Sequence, residues 1–518
     1  MDENRQYRAE VVVIGGGATG CGVARDLALR GVDVMLLEQH DLAYGATGRC
    51  HGLLHSGVRY VVNDPVAAEE CIDENRILCK VAPECIERTG GIVIVLPEDD
   101  PAYKKALLEG CKNINLPAEE ISGKEALDME PWLNASVESA ILVPDSSVDP
   151  FLLALENLRD AERHGASSLL HTRVTGFEID GGKLRKVLAE NDDGPLEISC
   201  TMAVIAAGGW AQRLGEMAGV NVNLNLSKGS LIIMNRRFTN RVVNRCRRPS
   251  DADLIIPNGP TSIIGTTSIT VPSPDGLAIE EREVDVLFDE GDAMVPGFTD
   301  ARSLRAYAGV RPLFAGDTGG SSGRELSRGF AVLDHEKRDG VKGLVTIVGG
   351  KLTTYRLMAE KTADLVAQKL GVNRVCETAE RPLYEGEKVP FYSRVERLER
   401  IADRRPGDML CECEMVAGDD IFQILPELKR RPDLTDIQHR TRLGMGPCQG
   451  GFCSARALGL LAQEEMFRET ESALPLLERF LNRRWKGILP VLWGDQWREE
   501  QLNYGLYATL FGLDRSEE

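Results

Sequence analysis

The sequence predicts an α/β chain with α+β character: a parallel sheet assembled from separate segments, an antiparallel sheet laid over it, and a small cysteine-bearing module near the C-terminus. Three observations carry this expectation. A β-branched strand at Glu10–Ile14 runs straight into a glycine turn and then a helical pattern. The strand-then-glycine signal returns at Val204–Gly209 and again at Gly343–Gly350, with β-rich stretches between the two. Beyond them lie two cysteine pairs, Cys411/Cys413 and Cys448/Cys453.

The bounds set by composition agree with a multidomain globular protein. A chain of 518 residues leads us to expect two to four domains, and 43% apolar with 27% charged residues is ordinary for such domains. A formal charge of -19 argues against a nucleic-acid partner, since phosphate backbones need basic faces. It equally disfavours direct attachment to an anionic membrane. The polar segment Met1–Glu10 has no signal-peptide character, and no run of about 18 apolar residues suggests a membrane-spanning helix. Without an export signal, the thirteen cysteines are expected to be thiols, metal ligands or catalytic groups.

The first element is the most informative. After the strand comes Gly15-Gly16-Gly17-Ala18-Thr19-Gly20, a helical pattern through Cys21–Arg30 closed by Gly31, and a second strand, Val32–Leu37, that delivers Glu38. This is G-x-G-x-x-G in the context that gives it meaning. Gly15 permits the tight turn, Gly17 lets a pyrophosphate approach the backbone, and Gly20 lets helix and strand pack closely. The helix N-terminus offers N–H groups and a positive dipole end to phosphates, and Glu38 can accept from a ribose diol. The segment therefore predicts a Rossmann-like dinucleotide site.

The later returns select the dinucleotide. Gly208, within Ala207-Gly208-Gly209, and Gly350, before Lys351-Leu-Thr353-Thr-Tyr355 and a helix to about Leu370, bring the chain back to the nucleotide twice. An NAD domain would be contiguous, so returns spread over most of the chain suggest FAD. The expected FAD-binding domain comprises residues 1–90, 147–221 and 329–375, and a substrate cap comprises 91–146 and 222–328. The cap expectation rests on the β-rich stretches 222–236 and 261–270 together with 88–146, which mixes strand and helix patterns.

The block Gly45-Ala-Thr47-Gly-Arg49-Cys-His51-Gly-Leu-Leu-His55-Ser-Gly-Val-Arg59-Tyr60 resembles the FAD-linked glycerol-3-phosphate dehydrogenase family. So do Tyr307-Ala-Gly-Val-Arg311-Pro-Leu313 and Gly349-Gly-Lys-Leu-Thr-Thr-Tyr-Arg356. The likeness covers nearly the whole chain and is greatest to the anaerobic branch, whose large subunits carry C-terminal cysteines that the aerobic enzymes lack. Cys50 stands where asparagine is common in the family. The resemblance implies a D-amino-acid-oxidase-like fold and oxidation of sn-glycerol 3-phosphate to dihydroxyacetone phosphate. It also implies a second flavoprotein subunit with a membrane-anchored iron–sulfur subunit, electrons reaching the quinone pool indirectly. This chain would then be cytoplasmic, held peripherally at the membrane through those partners. Thr47, His51 and Thr353 join Gly15, Gly17, Gly20, Glu38, Gly208 and Gly350 as candidate cofactor contacts.

The substrate would be close to a dianion, so an acidic protein must gather cations locally. Arginine suits phosphate because its planar fork stays charged and donates in parallel. The resemblance implies that Arg59, Arg311 and Arg328 surround the phosphate. Alcohol oxidation also needs a base, for which histidine is the default. His55 is the first candidate and His51 the second. His55 and Arg59 are spaced i, i+4, which on a helix would put them on one face. Lys351 could stabilise reduced flavin at its N1/O2 edge. Two alternatives remain: an oxidoreductase of the same fold acting on a hydroxy acid or amine, and a non-catalytic flavin/iron–sulfur electron carrier. The six arginines of Arg236–Arg248 could line an anion funnel or form a solvated face.

The charge-rich, proline-containing stretch 376–408 reads as a linker. Residues 409–465 then carry C-x-C and C-x₄-C on separate loops, so Cys411, Cys413, Cys448 and Cys453 are candidate metal ligands. Four thiolates suit an iron–sulfur cluster or zinc. The spacing resembles a [2Fe–2S] domain of the bacterioferritin-associated-ferredoxin type, with zinc as the second choice. Residues 466–518 are rich in aromatics, which fits an interface or a buried terminal helix.

Overall fold

The computed structural model describes residues 5–316, 329–384, 398–399, 402, 408–428, 432–463 and 473–513. The strands Val11–Ile14, Val34–Leu37, Met202–Ile205 and Leu344–Gly349 are apolar on both faces, so they must lie inside a covered sheet. They form the centre of a six-stranded sheet. Its order is Ser167–Leu169, Val34–Leu37, Val11–Ile14, Met202–Ile205, Leu344–Gly349, Phe330–Asp334. All neighbours run parallel except the last edge strand.

Alternate residues of these strands feed two cores. Val11, Val13, Val34 and Leu36 pack under the helices Ala18–Leu29, Pro150–Arg163 and Tyr355–Leu370. Val12, Ile14, Met35 and Leu37 face a four-stranded sheet of Arg5–Arg8, Gly194–Ser199, Lys183–Asn191 and Arg173–Asp180.

The cap is a nine-stranded sheet. Leu224–Met234 pairs along its length with Ser303–Phe314, and Thr261–Gly265, Leu254–Asn258, Val242–Arg245, Gly91–Val95, Ser139–Val143 and Glu119–Ser122 continue the path. The helix Glu281–Met294 packs on it. The expectation of an antiparallel cap needs correction, because Val242–Arg245 runs parallel to Gly91–Val95 and the sheet is mixed. These two strands lie far apart in sequence, so no short hairpin dictates their relative direction.

The C-terminal unit has a core of its own, built by the hairpin Met409–Cys411/Val416–Ala417 and the helices Gly418–Ile424, Leu434–Thr441, Cys453–Gln463, Leu474–Ile488 and Gln496–Phe511. It docks on both other layers. Leu474–Ile488 lies along the cap strand Ser303–Phe314. Asp41, just past Glu38, accepts from His439 at 2.9 Å and from both terminal nitrogens of Arg440 at 2.8 and 2.9 Å. The terminal aromatics divide: Trp485 is buried against Tyr504, whereas Trp493 and Trp497 are exposed. Much of the expected linker 376–408 falls outside the described residues. No helix among the described residues is long and apolar enough to cross a membrane.

Candidate active site

The glycine turn is built as its sequence requires. Gly15 has φ +121°, and a Cβ at Gly20 would lie 1.9 Å from the Gly15 carbonyl oxygen, so helix and turn meet only without a side chain there. Ala18, the first helical residue, donates its N–H to Thr47 Oγ1 at 3.1 Å, which seats the Thr47 loop over the turn. Glu38 accepts from Gly16 N at 2.7 Å and His40 N at 2.8 Å. Its carboxylate thus braces the turn as well as facing the cavity, and burial raises its pKa.

From this turn a cavity of about 920 Å³ extends between the sheet and the cap. Gly15, Gly17, Glu38, Thr47, His51, Gly208, Gly350, His55, Arg59, Arg311 and Lys351 all line it. Gly20 and Thr353 stand behind the lining: Gly20 packs against the turn, and the buried Thr353 hydroxyl accepts from His55 N at 3.0 Å. Arg328 lies outside the described residues. The volume, near the upper end for small-molecule pockets, and the glycine turn at one end fit a dinucleotide as large as FAD.

Residues from distant segments share this cavity with the turn. Arg311 donates to Ser227 Oγ at 3.1 Å, to the Thr266 hydroxyl and to the Thr267 carbonyl at 3.1 Å. These neutral oxygens orient the guanidinium without cancelling its charge. Arg59 donates to Asp253 Oδ2 at 2.7 Å and Ser250 O at 3.1 Å. The segment from His55 to Arg59 is not helical, since Gly57 sits at φ +100°, so the shared helix face expected from the i, i+4 spacing does not form. Both side chains reach the cavity through a turn. Lys351 Nζ lies 4.9 Å from the centre of the Tyr60 ring.

The two histidines differ in character. The rings of His51 and His55 are 5.7 Å apart, edge to face, and Tyr60 lies 5.5 Å from His55. Leu53 N donates to His51 Nδ1 at 3.2 Å, so a neutral His51 carries its proton on Nε2. Burial, with Arg311 and Arg59 adding to it, pushes the His51 pKa down to about 3. That value makes His51 a poor base near neutral pH.

Of the arginine-rich stretch, most members are pinned elsewhere. Arg236 stacks on Trp132, Arg237 pairs with Glu87, Arg241 with Glu130, Arg245 with Asp99, and Arg247 with Asp253 and Glu290. Arg248 alone of the six lines the cavity. Sequence reasoning also missed Tyr60, Ser227, Asp253 and Thr266. Tyr60 was within reach, as the neighbour of Arg59 in the same motif; the others are brought in only by the cap sheet.

The four cysteines converge in the C-terminal unit. The Cys453 thiol is within hydrogen-bonding reach of Cys411 and of Cys448, and Cys448 of Cys413. A tetrathiolate group is thus the chemistry they fit.

A family model described as FAD dependent oxidoreductase matches residues 10–356, which sets the class of the fold and its cavity. The chain is 42% identical to the A-subunit of the anaerobic glycerol-3-phosphate dehydrogenase of Escherichia coli K12, over 100% of this chain and 99% of that protein. It is 41% identical to the corresponding A1-subunit of Haloferax volcanii, over 97% of this chain and 91% of the other. The crystal structure of a glycerol-3-phosphate dehydrogenase from Bacillus halodurans complexed with FAD shares the fold, with TM-score 0.67 and 22% identity, covering 94% of this chain and 96% of that one. The chain belongs to the A-subunit family of the anaerobic glycerol-3-phosphate dehydrogenases.

Proposed function

We propose that this protein oxidises sn-glycerol 3-phosphate to dihydroxyacetone phosphate. The observation that carries the reading is that Arg59, Arg311, Lys351 and His55, from distant segments, line one cavity with the glycine turn, gathered around His51 and Tyr60. FAD, when bound, supplies the acceptor for the hydride that leaves C2 of the substrate. Thr47 and the glycine turn hold its pyrophosphate end. Arg311 and Arg59 grip the substrate phosphate, which fixes C2 in the cavity. His55 takes the hydroxyl proton, held in place by the hydrogen bond from its backbone to Thr353. Lys351 would offer positive charge beside the ring of the bound cofactor.

Cys411, Cys413, Cys448 and Cys453 hold a [2Fe–2S] cluster in this reading, with zinc as the second choice. A flavin takes electrons in pairs and a cluster takes them singly, so the two together suit delivery to an electron-transfer chain. The relatives are named as subunits, which supports partner chains. A second flavoprotein subunit with a membrane-anchored iron–sulfur subunit would hold this chain at the cytoplasmic face and pass electrons to quinone. A pull-down from native membranes that yields no partner refutes this part.

Anaerobic addition of glycerol 3-phosphate to the purified protein tests the reaction. Bleaching of the flavin band is expected. Bleaching only by 2-hydroxy acids or amines would reassign the substrate, and no bleaching by any of them would leave an electron carrier.

A further inference from the structure

One arginine fastens the cysteine loops to the wall of the flavin cavity. Arg442 follows the Leu434–Thr441 helix and adopts the left-handed conformation at φ +68°. Its side chain is only 13% exposed and reaches three units of the fold. Nε donates to Glu414 Oε2 at 3.0 Å, Nη1 to Asp149 Oδ2 at 2.7 Å and Nη2 to Asn258 Oδ1 at 3.3 Å. Each partner belongs to a different unit. Glu414 adjoins Cys413 in the cysteine hairpin. Asp149 caps the Pro150–Arg163 helix of the flavin domain, and Asn258 ends a cap strand.

The two distant partners touch the same strip of cavity wall. Val148, next to Asp149, donates its N–H to Gly52 O at 2.8 Å, and a Cβ placed at Gly52 would lie 3.7 Å from the Asn258 side-chain nitrogen. Gly52 sits between His51 and Leu53, both cavity-lining. On the cluster side, Gly446 approaches Cys413 so closely that a Cβ would lie 2.4 Å from the Cys413 Cβ, which locks the two cysteine loops together. A second seam runs beside the first: Tyr307 Oη donates to Cys50 O at 2.9 Å, and Arg305, on the same strand, reaches Gln449, next to Cys448, at 3.5 Å.

We infer that Arg442 is the positioning residue for electron transfer from the flavin to the cysteine-bound cluster, a step that rests on the flavin and cluster reading above. The chain from cavity wall to cluster runs Gly52, Val148–Asp149, Arg442, Glu414–Cys413, with a hydrogen bond at each break in the covalent path. With both groups bound, one electron would pass from the two-electron-reduced flavin to the oxidised cluster, and over the two electrons one proton would leave to solvent. The second electron follows once a one-electron acceptor has emptied the cluster. Asp149 and Glu414 are both almost fully buried, at 2% and 1% side-chain exposure. Without the guanidinium between them, two buried carboxylates lose the cation that joins them across the seam, and the cysteine loops are held less firmly to the wall.

The test uses the full chain carrying FAD and iron, mixed anaerobically with glycerol 3-phosphate. Flavin bleaching and the electron paramagnetic resonance signal of the reduced cluster are followed separately in wild type, Arg442→Met, Arg442→Lys and Asp149→Asn. In Arg442→Met, flavin bleaching keeps its rate while cluster reduction slows about tenfold or more, the usual scale for loss of an outer-shell partner of a metal site. Arg442→Lys, which keeps the charge but not the fork, recovers part of the rate. Asp149→Asn keeps the helix cap and every cysteine-side contact, so it reports even if Arg442→Met loses its iron, and it too slows cluster reduction alone. Cluster reduction at the wild-type rate in Asp149→Asn, or in an iron-replete Arg442→Met, overturns the inference. Slowing of flavin bleaching in parallel overturns it too. A wild-type protein holding no iron, or a cluster that the substrate never reduces, would instead overturn the reading beneath it.

Discussion

Replacing Arg311 by alanine isolates the anion-binding role of the cavity. The guanidinium is oriented by Ser227, Thr266 and Thr267, all through neutral oxygens, so its charge is directed at the cavity undiminished by these partners. A hydrogen bond to a charged group contributes about 1.5–3 kcal/mol, and a bidentate grip on phosphate about twice that. Arg59 remains to compensate, so a net loss of about 3 kcal/mol, roughly 150-fold in kcat/KM, is expected. The grip is the same before and at hydride transfer, so most of the loss falls on KM. Steady-state flavin reduction measures it, with glycerol as the phosphate-free comparator. The ratio of kcat/KM for glycerol 3-phosphate over glycerol should collapse while FAD content stays full, and Arg311→Lys should restore part of it. An unchanged ratio refutes the reasoning, because the arginine would then hold no phosphate. Loss of FAD refutes it differently, by moving Arg311 into cofactor retention.

Three further outcomes follow from the same geometry. Gly20→Ala places a methyl group 1.9 Å from the Gly15 carbonyl, and purified protein should carry little or no FAD by absorbance; full occupancy would show that the turn is not the pyrophosphate site. His51 titrates near 3 folded and near 6.5 unfolded, so its neutral form stabilises the protein fully above pH 6.5, and that stability is lost as pH falls toward 3. At pH 4.5 the loss is at most about 2.7 kcal/mol, less because the ring is partly exposed, and His51→Gln should flatten the urea-unfolding profile between pH 7 and 4.5; an unaltered slope sinks the argument. Arg248→Ala should raise KM by roughly fivefold or less and weaken the dependence of kcat/KM on ionic strength, as expected for an exposed cation at the cavity rim. A salt profile identical to wild type would place Arg248 outside the path of the anion.

What could be read from the sequence was local. The glycine turn, its flanking strands and the acid at position 38 lie within one βαβ unit, and a pattern of glycines and β-branched residues specifies all of it. The sequence could not show that Glu38 also braces its own turn through Gly16 and His40, because that depends on side-chain direction. The His55–Arg59 spacing would put the two on one face of a helix, but with Gly57 in a left-handed conformation no helix forms, and Asp253 draws Arg59 across to the cap. Contacts such as Arg311–Ser227 and His55–Thr353 join positions 84 and 298 residues apart, beyond the reach of any periodicity. The mixed cap sheet was hidden for the same reason: strand direction over a long connection leaves no trace in composition.

The cavity shows how a chain with net charge -19 can hold a dianion. Among the described residues, six lysine or arginine residues line it against three carboxylates. The acid that steers Arg59 is itself shared: Asp253, 1% exposed, pairs with both Arg59 and Arg247. Arg247 also meets Glu290, so Asp253 orients Arg59 from within a shared network of charges and not as a dedicated partner. Overall acidity therefore does not oppose substrate binding at close range, because the distant charges are screened beyond about 8–10 Å at physiological salt. On the proposed function, the cations that line the cavity, Arg311 among them, would be what the phosphate meets.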